Sequence, residues 1–222
     1  MEINALATRA LLSCRQAVMA SQSASVPGFP FTSVIPVGVS LHGQVIALLC
    51  ETAQHTRNIM IDSRVSMLLH DDLEDNWQAA TRLSALGRMY PLHSDHVNLE
   101  QIRHSFYALH PELLNFDTAP DYHFWQLEPV HFRFNVFVDQ GSWIDQINPD
   151  LFDLSDSDRE QLNHLLSNHG YLCHVLHAGC YGVQIMAQGR VHFLVFIEPV
   201  NTIHEIFEKI KNHNYHDPSR MD

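Results

Sequence analysis

Ala53-Gln54-His55-Thr56-Arg57-Asn58-Ile59-Met60-Ile61-Asp62-Ser63-Arg64-Val65-Ser66-Met67-Leu68-Leu69-His70 is the stretch whose two periodicities decide the fold. Its first half predicts a short helix over Gln54–Asp62. Its second half predicts a strand over Arg64–His70, with Val65, Met67 and Leu69 on one face. Upstream, residues 16–21 read as a strand. Residues 31–40 and 44–50 read as a β-hairpin turning around His42-Gly43. Two prolines, a glycine and two serines make residues 23–30 a loop. Leu6, Ala10, Leu11 and Cys14 share one face of an N-terminal amphipathic helix.

Downstream, Asp71–Asn76 is a polar, acidic connection, and Ala79–Leu92 reads as one long strand. Val97, Ile102, Phe106 and Leu109 predict a helix over His96–His110. Tyr122–Val138 reads as a long strand. Phe132, Phe134, Val136 and Val138 lie on one face, and His131, Arg133 and Asn135 on the other. Asp139–Asp158 is rich in Asp, Asn, Gly and Ser and reads as a linker. A helix over Ser155–His169 follows, with a serine cap and acidic first turns. Two strands, Tyr181–Ala187 and Val191–Ile197, precede a last helix over Asn201–Asn212. Asn201 or Thr202 caps that helix, and Lys209 and Lys211 sit near its end. The expected class is α+β: a strand-dominated domain over residues 1–145, then a small α/β domain over residues 146–222.

Composition narrows the function. The 222 residues carry 13 Lys+Arg against 25 Asp+Glu, a formal charge of −12. That balance argues against nucleic acid, whose binding rests on phosphate neutralisation. No window reaches the roughly 18 apolar residues of a membrane helix. The N-terminal segment lacks a basic start followed by an uninterrupted apolar run, so a cytoplasmic location is expected. Cys14, Cys50, Cys173 and Cys180 form no C-x-x-C pair and read as reduced thiols. Only two lysines occur, Lys209 and Lys211, so every earlier fixed side-chain cation is an arginine. Histidine is abundant, with 17 copies. His164 and His169 lie five apart and do not share a helix face, and Cys173, His174, His177 and Cys180 match no standard zinc spacing.

Several collinear blocks carry a family resemblance. Thr8-Arg9-Ala10-Leu11-Leu12, Phe31-Thr32-Ser33-Val34-Ile35-Pro36-Val37, Ala53 through Ile59, Asp62 through Leu69, Leu83 through Arg88, and Phe124 through Pro129 occur in the expected order. Together they resemble the pyridoxamine 5′-phosphate oxidase-related, FMN-binding split-barrel proteins, in the branch associated with heme utilisation. The resemblance covers most of residues 5–145, and a looser likeness covers the C-terminal part. It implies a mostly antiparallel split β-barrel with flanking helices. It further implies a homodimer that holds heme or FMN between its two barrels.

Arg57 is the first site candidate. A guanidinium grips phosphate or carboxylate through a two-pronged fork, and Thr56 and Asn58 add donors beside it. In flavin-binding relatives the comparable segment contacts the FMN phosphate. Arg88 and Arg133 complete the expected cofactor-binding set. Histidine is a natural heme ligand, and heme-degrading relatives use a C-terminal histidine, which makes His213 and His216 the iron candidates. The lysine-free barrel argues against a true pyridoxamine phosphate oxidase, and Cys50 stands where relatives commonly carry serine. Relatives also have a glycine-rich turn where this chain has Val136, Phe137 and Asp139. Three readings are open: a redox enzyme acting on or with heme or FMN, a non-catalytic heme-storage module, and a cofactor-free dimeric interaction protein.

Overall fold

Alternation along a strand gives a sheet one apolar face to bury. In the computed structural model, which describes residues 7, 10–40, 43–70, 82–135, 141–144, 154–180, 182–187, 190–196 and 198–212, β1 (Gln16–Gln22), β2 (Pro30–Val39), β3 (Val45–Cys50), β4 (Arg64–His70), β5 (Arg82–Pro91), β6 (Tyr122–Asn135) and β7 (Gly141–Ile144) form one antiparallel sheet. Its order is β3-β2-β1-β4-β5-β6-β7, and β3 also pairs with β6. Six strands therefore close into a barrel, and β7 continues the sheet beyond β6. Ala17, Met19, Ile35, Val65, Met67, Leu69, Leu83, Ala85, Phe132 and Phe134 are buried at alternate positions. Each large one contributes about 1.5–3 kcal/mol by leaving water.

β3 breaks the alternation, because Val45 through Leu49 are all buried. A strand covered on both faces needs a continuous apolar run. Here one cover is α2 (Leu99–Leu109), whose Ile102, Phe106 and Tyr107 form a cluster with Ile46, Leu48 and Phe124. α1 (Gln54–Ile61) links β3 to β4. The helix predicted from His96 begins at Leu99 instead. Residues 93–98 form turns closed by His93 and His96 carbonyls, and Val97 is 90% exposed. A 3-10 segment, Pro111–Phe116, follows α2.

The pairing of β5 with β6 slips between Leu86 and Gly87, which face His131 and Pro129. Val130 is the extra residue of this bulge. A Cβ on Gly87 would lie inside van der Waals distance of the Glu128 carbonyl oxygen, so glycine is required by close backbone approach.

The chain divides into two compact units, one of Ala10–Asn148 and one containing Pro149–Asp222. In the second, β8 (Cys173–Gly179), β9 (Gly182–Ala187) and β10 (Arg190–Val195) form a sheet of order β10-β9-β8. Its core joins Val175, Val183, Ile185 and Leu194 to Leu162 and Leu166 of α3 (Asp156–Asn168) and to Ile206, Phe207 and Ile210 of α4 (Ile203–Asn212). Ser155 caps α3 by accepting from the Asp158 N–H. Thr202 and Glu205 form a reciprocal capping box at α4. β8 escapes the sequence reading because its alternation of Cys173 and Val175 is broken at Leu176, where the β8–β9 register shifts. β7 falls inside the predicted linker and corrects it: residues 141–144 pair with β6. Among the described residues no helix is long and apolar enough to cross a membrane.

His110 is buried between α2 and β2. Its Nε2 faces the Val37 carbonyl at 2.8 Å, its Nδ1 faces Glu112 at 3.3 Å, and its ring lies 4.6 Å from that of Phe106. Burial pushes the imidazole below its ordinary 6.5, against the opposing pull of Val37 and Glu112. His55 is shifted the same way by burial.

Two outcomes are expected. Gly87→Ala should cost about 2–3 kcal/mol in urea unfolding, because the clash is with backbone that cannot step aside. The unfolded chain takes up protons near 6.5 where folded His110 resists them, so stability should fall as pH drops below that value. His110→Phe should shrink the difference in unfolding midpoint between pH ~7.5 and ~5, even where the variant is less stable at the higher pH. An undiminished difference would remove His110 from this account.

Candidate functional site

α1 places Thr56, Ile59, Met60 and Ser63 along one side, at the i, i+3, i+4 and i+7 positions of a helix and its exit. These residues line a cavity of about 700 Å³ whose other walls are Met89 through Ser94, His123, Trp125 and Glu51. That volume lies within the range of about 300–1,000 Å³ typical of small-molecule sites. Among the described residues the wall contains no arginine or lysine. Thr56 Oγ1 and Trp125 Nε1 are buried without a hydrogen-bond partner among the described residues. At the mouth, His123 Nε2 lies 3.8 Å from the Glu51 carboxylate, and both side chains are about half exposed.

A second arrangement lies on the outer surface of the barrel. Register aligns Val34 (β2), Val18 (β1), Leu68 (β4), Ser84 (β5), Arg133 (β6) and Trp143 (β7) in one row across six strands. The row is apolar at one end, with Val34 65% exposed, Val18 39% and Leu68 36%. At the other end the Arg133 guanidinium lies 5.6 Å from the centre of the Trp143 ring, itself 60% exposed. The His131 ring meets Trp143 edge-on at 6.3 Å. A cation, an imidazole and an aromatic face thus share one exposed corner. An arginine stacked on an aromatic ring loses little of its capacity to fork onto a carboxylate or phosphate.

The structure does not gather the five predicted cofactor residues at one point. Thr56 is in the cavity wall. Arg57 is exposed on the flank of α1, and its side chain has no hydrogen-bond or ion-pair partner among the described residues. Asn58 is buried and accepts from the Ala24 N–H at 3.0 Å and Gln54 Nε2 at 2.9 Å, while donating to Ser21 Oγ at 3.1 Å. Its polar capacity is used to fasten α1 to the end of β1. Arg88 lies on the outer face of β5, between Arg64 and Glu128 in register, and donates to Ser63 Oγ at 3.3 Å. Four residues separate Ser84, the partner of Arg133, from Arg88, or about 13 Å along a strand. His213, His216, Val136, Phe137 and Asp139 fall outside the described residues. Sequence reasoning passed over His131, Trp143 and Trp125. The outward phase of His131 was legible from inward Phe132 and Phe134, but the partner of Arg133 on β7 was not.

Residues 2–137 match the family described as CREG, beta-barrel. No curated protein matches the chain. A protein of unknown function from Agrobacterium tumefaciens is similar at 20% identity and a TM-score of 0.73, with 94% of each chain covered. A heme binding protein from Mycobacterium smegmatis is similar at 15% identity and a TM-score of 0.60, over 98% of this chain and 99% of that one. HutZ, the heme storage protein from Vibrio cholerae, is similar at 20% identity and a TM-score of 0.50, over 58% of this chain and 91% of that one. At these identities the likeness is one of fold.

Neighbouring residues of α1 should respond oppositely to truncation. Asn58→Ala leaves buried partners unsatisfied and should cost about 2–3 kcal/mol of stability in urea. Arg57→Ala removes an exposed, unpaired side chain and should stay within about 0.5 kcal/mol of wild type. Equal losses would show that Arg57 has a structural role.

Proposed function

Since the chain belongs to the CREG β-barrel family, within the split-barrel, pyridoxamine 5′-phosphate oxidase-like superfamily, we propose that it is a heme-binding protein of heme utilisation that works as a homodimer in the cytoplasm. The observation that carries this reading is the outer row ending in Arg133, Trp143 and His131. Heme asks for an imidazole at its iron, a cation at its propionates and an apolar or aromatic surface for its macrocycle. This corner supplies the same three kinds of group. Arg133 would meet a propionate, Trp143 would cover the ring, and His131 would stand as the iron ligand in place of, or opposite, a histidine from 213 or 216. Exposed Val34, Val18 and Leu68 on three adjacent strands give a second copy an apolar surface to cover. The names of the Mycobacterium smegmatis and Vibrio cholerae proteins of this fold support the choice of heme. Bound heme supplies an iron centre able to exchange electrons and bind oxygen; the protein residues orient it and neutralise its charge.

FMN is the second reading, and one observation favours it. Ala53 precedes α1 without giving its first amides a side-chain acceptor, and the exposed Arg57 guanidinium, without a partner among the described residues, stands in that same turn. Helix amides and a guanidinium are a phosphate-binding pair of groups.

Hemin titration followed by its Soret band separates these readings. Arg133→Ala should weaken hemin about tenfold, His131→Ala should shift the band, and Val18→Asp should give a monomer in sedimentation with weakened hemin binding. Wild-type spectra and affinity in both Arg133→Ala and His131→Ala would overturn the assignment. FMN binding lost in Arg57→Ala, with no Soret shift on adding hemin, would establish the second reading. With heme bound, bleaching by reductant and oxygen marks a degrading enzyme, and a persistent band marks a storage module.

A further inference from the structure

β2 pairs with β1 over Pro30–Pro36 but with β3 only over Val37–Val39. β3 stays with β6 through Cys50 instead, so β2 has an open edge over Pro30–Pro36. Phase tells which groups stand along it. The Val37 N–H donates to the Arg15 carbonyl, so odd-numbered residues of β2 bond toward β1 and even-numbered ones face the other way. Gly38 meets Ile46 of β3 on that other side. Pro36, next in the series, has no N–H with which to continue the ladder. The N–H and C=O groups of Thr32 and Val34 follow, and no described residue pairs with them there. Both residues are exposed, Val34 by 65%.

We infer that this edge is where two copies of the chain meet, β2 against β2 in antiparallel pairing. The inference rests on the homodimer reading above, for which it names the contact, and not on the choice of heme. An exposed strand edge is commonly guarded by charge. None guards this one: the 35 residues Gln16–Cys50 contain no Asp, Glu, Lys or Arg. A twofold interface sets a surface against itself, so a charge near its axis meets its like. In a chain of formal charge −12, this uncharged segment lets a second copy approach without that repulsion. The prolines fix the register. With Ser33 on the twofold axis, Thr32 of each copy faces Val34 of the other, and each such pair exchanges both of its hydrogen bonds. The next pair in the series sets Pro30 against Pro36, neither of which has an N–H to leave unsatisfied. A shift of two residues either way would bring a proline ring into the ladder, against Thr32 or Val34.

Amide exchange followed by NMR on the full chain, beside sedimentation, tests this. Amides of Phe31, Ser33 and Ile35 bond to β1 and should be protected at every concentration. Amides of Thr32 and Val34 should exchange freely in the dilute monomer and slow by about tenfold or more as the dimer forms. Thr32→Pro and Val34→Pro each remove an N–H that points away from β1, so the barrel keeps its own ladder. Each should weaken the dimer about 10- to 100-fold, because the twofold removes two hydrogen bonds at once. Val34→Thr keeps the backbone groups and should stay within about threefold of wild type. A dimer in which Thr32 and Val34 exchange as fast as in the monomer, or one unweakened by both prolines, would overturn the edge contact and leave the homodimer reading standing. A chain monomeric at every concentration would overturn both. Protection of the two amides in a monomer would show an occupant other than a second copy and equally overturn the inference. Should the proline variants fail to fold, exchange in the wild type decides alone.

Discussion

The pairing of β3 with β6 is the constraint on which the rest of the structure depends. Five residue pairs, Ile46 with Gln126 through Cys50 with Tyr122, turn an open sheet into a ring. Closure requires β3 to be covered on both faces, and the continuous run Val45–Leu49 meets that requirement only because α2 supplies Ile102, Phe106 and Tyr107 as the outer cover. The same closure brings His123 and Trp125 of β6 opposite Leu49 and Ala47 of β3. The chain leaving β3 must then enter α1 close to them, which is how Glu51, Thr56 and Trp125 come to line one cavity. A barrel left open at this seam would separate both halves of that wall.

Electrostatics divides the molecule's two candidate surfaces. A chain of formal charge −12 with no lysine before residue 209 has few cations to spend on an anionic ligand. Several are already engaged: Arg64 with Asp62, Arg103 with Asp117, and Arg15 with Glu112. Arg64 holds the Asp62 carboxyl down at about 2, chiefly through its side-chain hydrogen bond. Arg57, with no partner among the described residues, and Arg133, held by an aromatic face instead of a carboxylate, keep their charge for other use. The cavity, with Glu51 at its mouth, lies on the other side of this division.

Much of the barrel was legible because period-2 patterns are local. Val65, Met67 and Leu69 announce their face within five residues, and the helix after β3 was visible from its flanking strands. The candidate site was less legible, because its members are joined by register. Nothing in residues 141–144 alone says that Trp143 lies across from Arg133; the β6–β7 pairing does. Asn58 shows the opposite error. Beside Arg57 in sequence it looked like a phosphate donor, yet helix geometry turns it 100° away, where it is consumed by Ala24, Gln54 and Ser21. β8 was hidden for a related reason, since its bulge at Leu176 destroys the alternation by which a strand is read.

The bulge at Val130 ties fold to site most directly. Before it, the buried members of β6 include odd-numbered Trp125 and Leu127; after it they are even-numbered Phe132 and Phe134. A strand of unbroken period 2 satisfies one set or the other, never both. Were the alternation that buries Leu127 to continue, His131 and Arg133 would point into the barrel and both phenylalanines into water. One inserted residue reverses the phase, buries the phenylalanines and presents His131 and Arg133 outward, where β7 lays Trp143 against them. The inserted residue is tolerated because the facing strand carries Gly87, whose missing Cβ admits the Glu128–Pro129 backbone. The outer corner is thus set by a backbone that has room to slip at one point, and a side chain on Gly87 would disturb a site it does not touch.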